Sequence, residues 1–265
     1  MELEIIDQHE NYLKFVLSGI TPTFANTLRR MAMSNVPTMA IDEVIIIENT
    51  TPLYDEMISH RLGLLPLKTD LESYVVPEEC TCGGQGCTSC EVSLTLEKTG
   101  ELEVEIVYSS DIMSQDPKTV PVYPNIPVLK MAKDQKIFLE AIARLGHGFR
   151  HAKWQPVSTV AYKYFPNISF NINCTYCNDC VEACPPGIIK IENEKIHVTN
   201  ELDCTLCNQC VDVCEVDAVT VSTTGEDFIF TIESTGSLGI KNILKKSLEL
   251  LKKKAEEFKV HVEEF

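Results

Sequence analysis

The chain has 265 residues, 44% of them hydrophobic, enough to bury one large or two medium cores, so a disordered tail is excluded. Its 39 Asp and Glu against 23 Lys and Arg leave a formal net charge of −16, which argues against a broad phosphate-gripping face and so against direct nucleic-acid binding. The acidic start Met-Glu-Leu-Glu-Ile-Ile-Asp has neither the basic nor the apolar region of a signal peptide, and no apolar run approaches the ~18 residues of a membrane span, so a cytoplasmic chain without membrane contact is expected.

Alternation over the first twenty residues predicts two strands, Leu3 to Asp7 and Tyr12 to Leu17. A helix over 22–36 follows, capped by Thr21 or Thr23, with Pro22 in its first turn and Pro37 as its stop. Phe24, Leu28, Met31, Ala32 and Val36 share one face of it, whereas Asn26, Arg29, Arg30 and Met33 lie towards the other. From about Thr38 to Tyr164 the composition is strand-like. Val44 to Ile47 is an apolar strand core, Asp55 to Leu62 is helical, and Leu64 to Leu67 is an extended exit. Val92 to Glu97 and Leu102 to Tyr108 are expected to form a hairpin about Gly100. Pro117 to Pro127 reads as an extended crossover, Lys136 to Leu145 as a helix, and Gly146-His-Gly148 as a turn.

A cysteine-rich segment, 173–223, separates these elements from a strand at Phe228 to Ile232 and a terminal helix. On that helix Ile240, Ile243, Leu244, Leu248, Leu251, Ala255 and Phe258 form a stripe opposite Lys241, Lys245, Lys246 and Lys252 to Lys254. A stripe so long on a terminal helix needs something to lie against. We take Phe24, Leu28, Arg29 and Arg30, with Ile240, Ile243, Leu244, Leu248 and Leu251, as the candidate interface.

Twelve cysteines in closely spaced sets, in a chain of this size, point to metal. Cys174-x2-Cys177-x2-Cys180-x3-Cys184-Pro185 recurs thirty residues on as Cys204-x2-Cys207-x2-Cys210-x3-Cys214, an internal duplication. This is the two-cluster ferredoxin spacing, in which the fourth cysteine of each run serves the other cluster. One iron–sulfur site would then use Cys184, Cys204, Cys207 and Cys210, and the other Cys174, Cys177, Cys180 and Cys214; zinc or disulfides are the competing readings. Pro185 follows the expected pattern, whereas Glu215 departs from it, which leaves the Cys174 site the less secure. Either [4Fe-4S] or [3Fe-4S] clusters, one or two, are compatible. A smaller set, Cys80-x-Cys82-x4-Cys87-x2-Cys90 among three glycines, is expected to hold zinc or to form disulfides; either way it is a staple.

The remaining motifs carry no catalysis. There is no nucleophile elbow, P-loop or dinucleotide fingerprint, and no aspartate cluster suited to two magnesium ions, so no catalytic residue is assigned. His147 and His151 lack the glutamate pattern of a helical zinc site and are read as surface hydrogen-bonding groups. Arg61 is read as an ion-pair or backbone anchor.

Asn26-Thr-Leu-Arg-Arg30, Ile41-Asp-Glu-Val44 and His60-Arg-Leu-Gly-Leu-Leu-Pro-Leu67, in that order, resemble the α-like assembly subunits of cellular RNA polymerases, nearest to the archaeal D-type family. The resemblance covers essentially the whole chain. It implies an α+β fold with a discontinuous dimerisation domain at 1–40 plus 224–265, an inserted mainly-β platform domain at 41–168, and a ferredoxin-like two-cluster-type domain at 169–223. It also implies a zinc-binding loop at 80–90 and members with none, one or two clusters. The implied partners are a small α-like subunit resembling subunit L, subunits N and P, and the second-largest catalytic subunit. The competing reading is a ferredoxin-like electron carrier or oxidoreductase subunit, which accounts for 173–223 and leaves four-fifths of the chain without a role.

Overall fold

The structure is a computed structural model and describes residues 1–193 and 195–263. In chain order it runs β1 (Glu2–His9), β2 (Tyr12–Ser18), α1 (Pro22–Arg30), β3 (Pro37–Asn49), α2 (Asp55–Gly63), β4 (Glu91–Thr99), β5 (Glu105–Tyr108) and β6 (Met113–Ser114). It continues with β7 (Pro127–Met131), β8 (Lys136–His147), β9 (Val157–Phe170), α3 (Asp179–Glu182), β10 (Ile189–Glu192), β11 (Lys195–Val198), α4 (Gln209–Asp212), β12 (Val219–Ser234) and α5 (Ile240–Glu263). The fold is mixed α and β, mostly sheet, in two compact units.

The first unit comprises residues 1–8, 13–27 and 161–231. Most of the sheet ordered β1-β2-β12-β9 belongs to it. Phe228, Ile229 and Phe230 are all buried, because β12 is an inner strand with both faces covered, and this is why that stretch shows no alternation. Phe15 of β2 stacks on Phe230 at 5.1 Å, and Tyr164 of β9 lies 4.9 Å from Phe228. At the sheet margin β1 is exposed along nearly its whole length, Leu3 and Ile5 included.

In the same unit the thirty-residue duplication is visible in the backbone. Tyr176 and Leu206, Asn178 and Asn208, and Gly187 and Asp217 are pairs thirty apart, and each member has positive φ. Each half turns through the left-handed region, runs into a one-turn helix, α3 or α4, and emerges as strand. The apolar cluster here is small: Ile168, Ile188, Ile189 and Val219, completed by Cys180, Cys204 and Cys210.

The second unit comprises residues 9–12, 28–160 and 232–265. Its main sheet is ordered β3-β8-β4-β6, and β5 pairs separately with β7. Met39, Ile41, Leu94, Leu96, Leu139 and Ala141 point from the sheet into a core closed by Ile58 and Leu62 of α2. The Leu64–Leu67 exit and the Pro117–Pro127 crossover are extended only in part, since Leu64 still closes α2 (φ −89°, ψ −2°) and residues 117–118 and 124–125 are turns; the two segments are joined by a bridge at Leu67 and Pro121. Lys68 N donates to Val120 O at 2.9 Å, and Val122 N donates to Pro66 O at 2.9 Å. Arg61 is a backbone anchor, donating to Pro127 O at 2.7 Å.

Three expectations are overturned. Lys136 to Leu145 is strand β8 and not a helix. Ile137, Leu139, Ala141, Ala143 and Leu145 alternate inwards, and β3 and β4 flank it on both edges, so a period of two wins over residues that favour helices singly. The hairpin about Gly100 does not form, since β4 pairs with β8 and β6 while β5 pairs with β7, and no strand begins before Glu105. Gly100 instead meets the β7–β8 connection, with Gly100 N donating to Gln135 O at 2.8 Å and Asp134 N donating to Gly100 O at 2.9 Å. The helix predicted over 22–36 is α-helical only to Arg30; Met31–Asn35 is a π turn closed by Val36 N donating to Met31 O at 3.3 Å.

Candidate metal centres

The Cys80–Cys90 loop enters β4 from a 3-10 turn at Pro77–Glu79. Gly83, Gly84 and Gly86 all have positive φ, a region that glycine enters without steric cost. A Cβ on Gly86 would also lie 2.6 Å from the Glu91 carboxylate. The wrap brings four sulfurs together: Cys80 and Cys87 at 3.5 Å, Cys82 and Cys90 at 3.6 Å, Cys87 and Cys90 at 3.7 Å.

All four are free thiols, and every ligand atom lies within 4.8 Å of the others. A disulfide needs sulfurs about 2.05 Å apart, whereas thiolates about 2.3 Å from one tetrahedral ion stand roughly 3.8 Å from each other. The set is therefore arranged for one shared metal ion. Hydrogen bonds from the Cys80 thiol, then from Cys90, hold Cys82 down to about 6, whereas burial pushes Cys90 up to about 12. A bound cation would favour thiolates over thiols at all four positions.

The other eight cysteines divide between two cavities of the first unit. Cys184, Cys204, Cys207 and Cys210 line one, with Ile168, Ile188 and Val221 around them. Cys174, Cys177, Cys180 and Cys214 line the other, with Ile191 and Val219. Each is a small cavity of about 10 Å³. The fourth cysteine of each half lines the same cavity as the first three of the other half. Backbone amides point at the sulfurs: Leu206 N donates to Cys204 Sγ at 3.4 Å and Ala218 N to Cys214 Sγ at 3.1 Å. Burial pushes the Cys180 and Cys210 thiols up, whereas the Gln209 amide and then the Thr205 hydroxyl draw Cys207 down.

The candidate interface residues are placed unequally. Leu28, Ile240 and Ile243 are taken into the chain's own interior, so the first turn of α5 is already covered. Phe24, Arg29, Leu244 and Leu251 are half-buried, Arg30 is exposed, and Leu248 is 47% exposed. Beyond Leu251 the helix is bare, with Phe258 70% exposed and Val260 and Val262 each 53%. Neither histidine noted above lies on a helix. His147 Nδ1 is 2.9 Å from Asn35 O, and His151 accepts from Lys153 N at 3.1 Å.

Sequence reasoning missed two lysines. Lys163 of β9 donates to Leu202 O at 2.7 Å and Cys204 O at 2.8 Å, and Lys14 of β2 lies 3.9 Å from Asp203. Nothing in a strand's alternation marks a lysine that reaches across to a cysteine turn.

A family model described as the RNA polymerase Rpb3/Rpb11 dimerisation domain matches residues 14–255. The chain is 45% identical over 263 residues to DNA-directed RNA polymerase subunit Rpo3 of Archaeoglobus fulgidus, covering 99% of this chain and 98% of the relative. It is 44% identical to the subunit of that name from Methanothermobacter thermautotrophicus, covering 97% of each chain. With the one from Methanosarcina acetivorans the identity is 42%, covering 97% of this chain and 96% of the relative.

Proposed function

We infer the role of this chain from the family to which it belongs, that of the RNA polymerase Rpb3/Rpb11 dimerisation domain. It is an assembly-platform subunit of archaeal DNA-directed RNA polymerase and partners other subunits of that enzyme. The observation that carries this is a dimerisation-family match over 14–255, in a chain whose relatives of nearly equal length are polymerase subunits. The electron-carrier reading rests on the cysteine segment alone and leaves that match without meaning.

In our reading the partner on α5 is a small α-like subunit resembling subunit L, and the pair then recruits subunits N and P and the second-largest catalytic subunit. The bare face from Leu248 to Val262 supports it, because a helix so exposed in apolar side chains gains by burial against another chain. No helix among the described residues is long and apolar enough to cross a membrane, and we place the protein in the cytoplasm. The working division is a dimerisation domain at 1–40 plus 224–265, a platform at 41–168 and a ferredoxin-like domain at 169–223.

We assign zinc to Cys80, Cys82, Cys87 and Cys90. To the two cavities of the first unit we assign iron–sulfur clusters. Such groups supply covalent cross-links to a segment too small to hold itself together by apolar burial, and we assign them that structural role. The test is anaerobic co-expression with a small α-like subunit, followed by identification of the co-purifying chains and assay of iron, sulfide and zinc. A stable pair containing zinc, iron and sulfide is expected. Elution as a lone chain would overturn the platform reading, and a pair without iron and sulfide would overturn the cluster assignment.

A further inference from the structure

The two cysteine cavities are near copies in their backbone, yet their surroundings differ in charge. The turn leading into Cys204, residues 201–203, is held from the sheet by two lysines. Lys163 reaches it from β9 with hydrogen bonds of 2.7 and 2.8 Å to the carbonyls of Leu202 and Cys204. Lys14 reaches it from β2, 3.9 Å from Asp203. The acceptors of Lys163 are carbonyl oxygens, which favour the ammonium form, while burial and then the Lys14 charge pull its pKa down from the usual lysine value. Asp203 offsets part of this charge; its carboxylate also accepts from Asn200 Nδ2 at 2.7 Å.

The equivalent turn thirty residues earlier is held differently. Asn171 accepts from Asn173 N at 2.9 Å and donates to Asp217 O at 2.9 Å, and Ile172, the counterpart of Leu202, is fully exposed. The side-chain hydrogen bonds at this turn come from an asparagine. One cavity therefore has a lysine against the backbone of one of its own cysteines, where the other has an asparagine at the corresponding turn.

We propose that Lys163 is a positioning residue that makes the two sites unequal, fixing the Cys204 turn and raising the reduction potential of the group held by Cys184, Cys204, Cys207 and Cys210 above that of the group held by Cys174, Cys177, Cys180 and Cys214. This rests on the iron–sulfur assignment given above. A positive charge a few ångströms from a cluster favours the form that carries one more electron, and hydrogen bonds and net charge around the sulfurs set cluster potentials. The step is one electron passed from an added one-electron reductant to the cluster, with no bond made or broken.

The test is a stepwise anaerobic titration of the complex of full-length chain and partner with titanium(III) citrate, which gives up one electron to become titanium(IV), followed by electron paramagnetic resonance. Cys207→Ser identifies the component of the Cys204 site by removing it. In the unaltered chain that component is expected to be reduced first. Lys163→Gln should shift it to lower potential and leave the other component in place, and Lys163→Arg should restore it. Lys14→Gln, further from the cysteines, should shift the same component less, and it serves where Lys163→Gln fails to fold. Potentials unmoved in both glutamine variants, or two components moving together, would overturn the inference. A chain holding iron and sulfide with such unmoved potentials refutes the lysine's role alone, whereas a chain with neither refutes the cluster assignment as well.

Discussion

Asp70 shows how single contacts hold the loops of the second unit. Its carboxylate accepts from Lys118 Nζ at 2.8 Å, from Glu72 N at 2.9 Å and from Ser73 Oγ at 2.8 Å, which joins the segment after the Leu67 exit to the Pro117 crossover. Lys118, then the Glu72 amide and the Ser73 hydroxyl, hold the carboxyl well below the usual carboxylate range. A depressed folded-state pKa contributes stability above the unfolded value of 3.8, and that contribution is lost as pH falls through the folded one. Asp70→Asn should therefore be less stable than the parent near neutrality, and the gap should close as pH falls below 3.8, which urea unfolding at several pH values would show. At the cysteines, Cys207→Ser should remove one visible absorption component and spare the other, because Cys207 lines one cavity only.

At the scale of elements, legibility followed how local the deciding contacts are. The first two strands, α2, β4 and α5 were readable because their patterns, caps and breakers lie within each segment. Strand β8 was not, since Leu139, Glu140, Ala141 and Arg144 favour a helix one by one and only the pairing with β3 and β4 decides otherwise. Gly100 failed for a related reason: a Cβ there would lie 2.2 Å from Ala132 O, so glycine marks a close approach of distant backbone and not a hairpin turn. Gly100→Ala should destabilise the second unit by roughly 1–3 kcal/mol in chemical denaturation. The thiol sets can be picked out in the sequence because their spacing is local, whereas the lysines beside the Cys204 turn depend on sheet geometry. On α5, Leu248→Glu should abolish the heterodimer in size-exclusion chromatography by setting a charge in an apolar seam, and Leu244→Glu should do the same from a half-buried position. Elution of Leu248→Glu as the normal pair would count against that surface.

Across the whole molecule, stability is unevenly founded. The core of the second unit around Met39, Leu94, Leu139 and Ile58 is apolar throughout, whereas the cluster around Ile168 and Ile189 in the first is completed by three cysteines. Chelation and reduction that strip all metals should therefore expose 169–223 to proteolysis and hydrogen exchange first, while the β3-β8-β4-β6 sheet stays protected. Uniform loss of protection would show that the metals stabilise both units alike. The crossed allotment of Cys184 and Cys214 has one more effect. Each half of the repeat lends a thiol to its sibling, so a group held in either cavity would stitch the two lobes together, and both cavities would have to be emptied before the lobes could part.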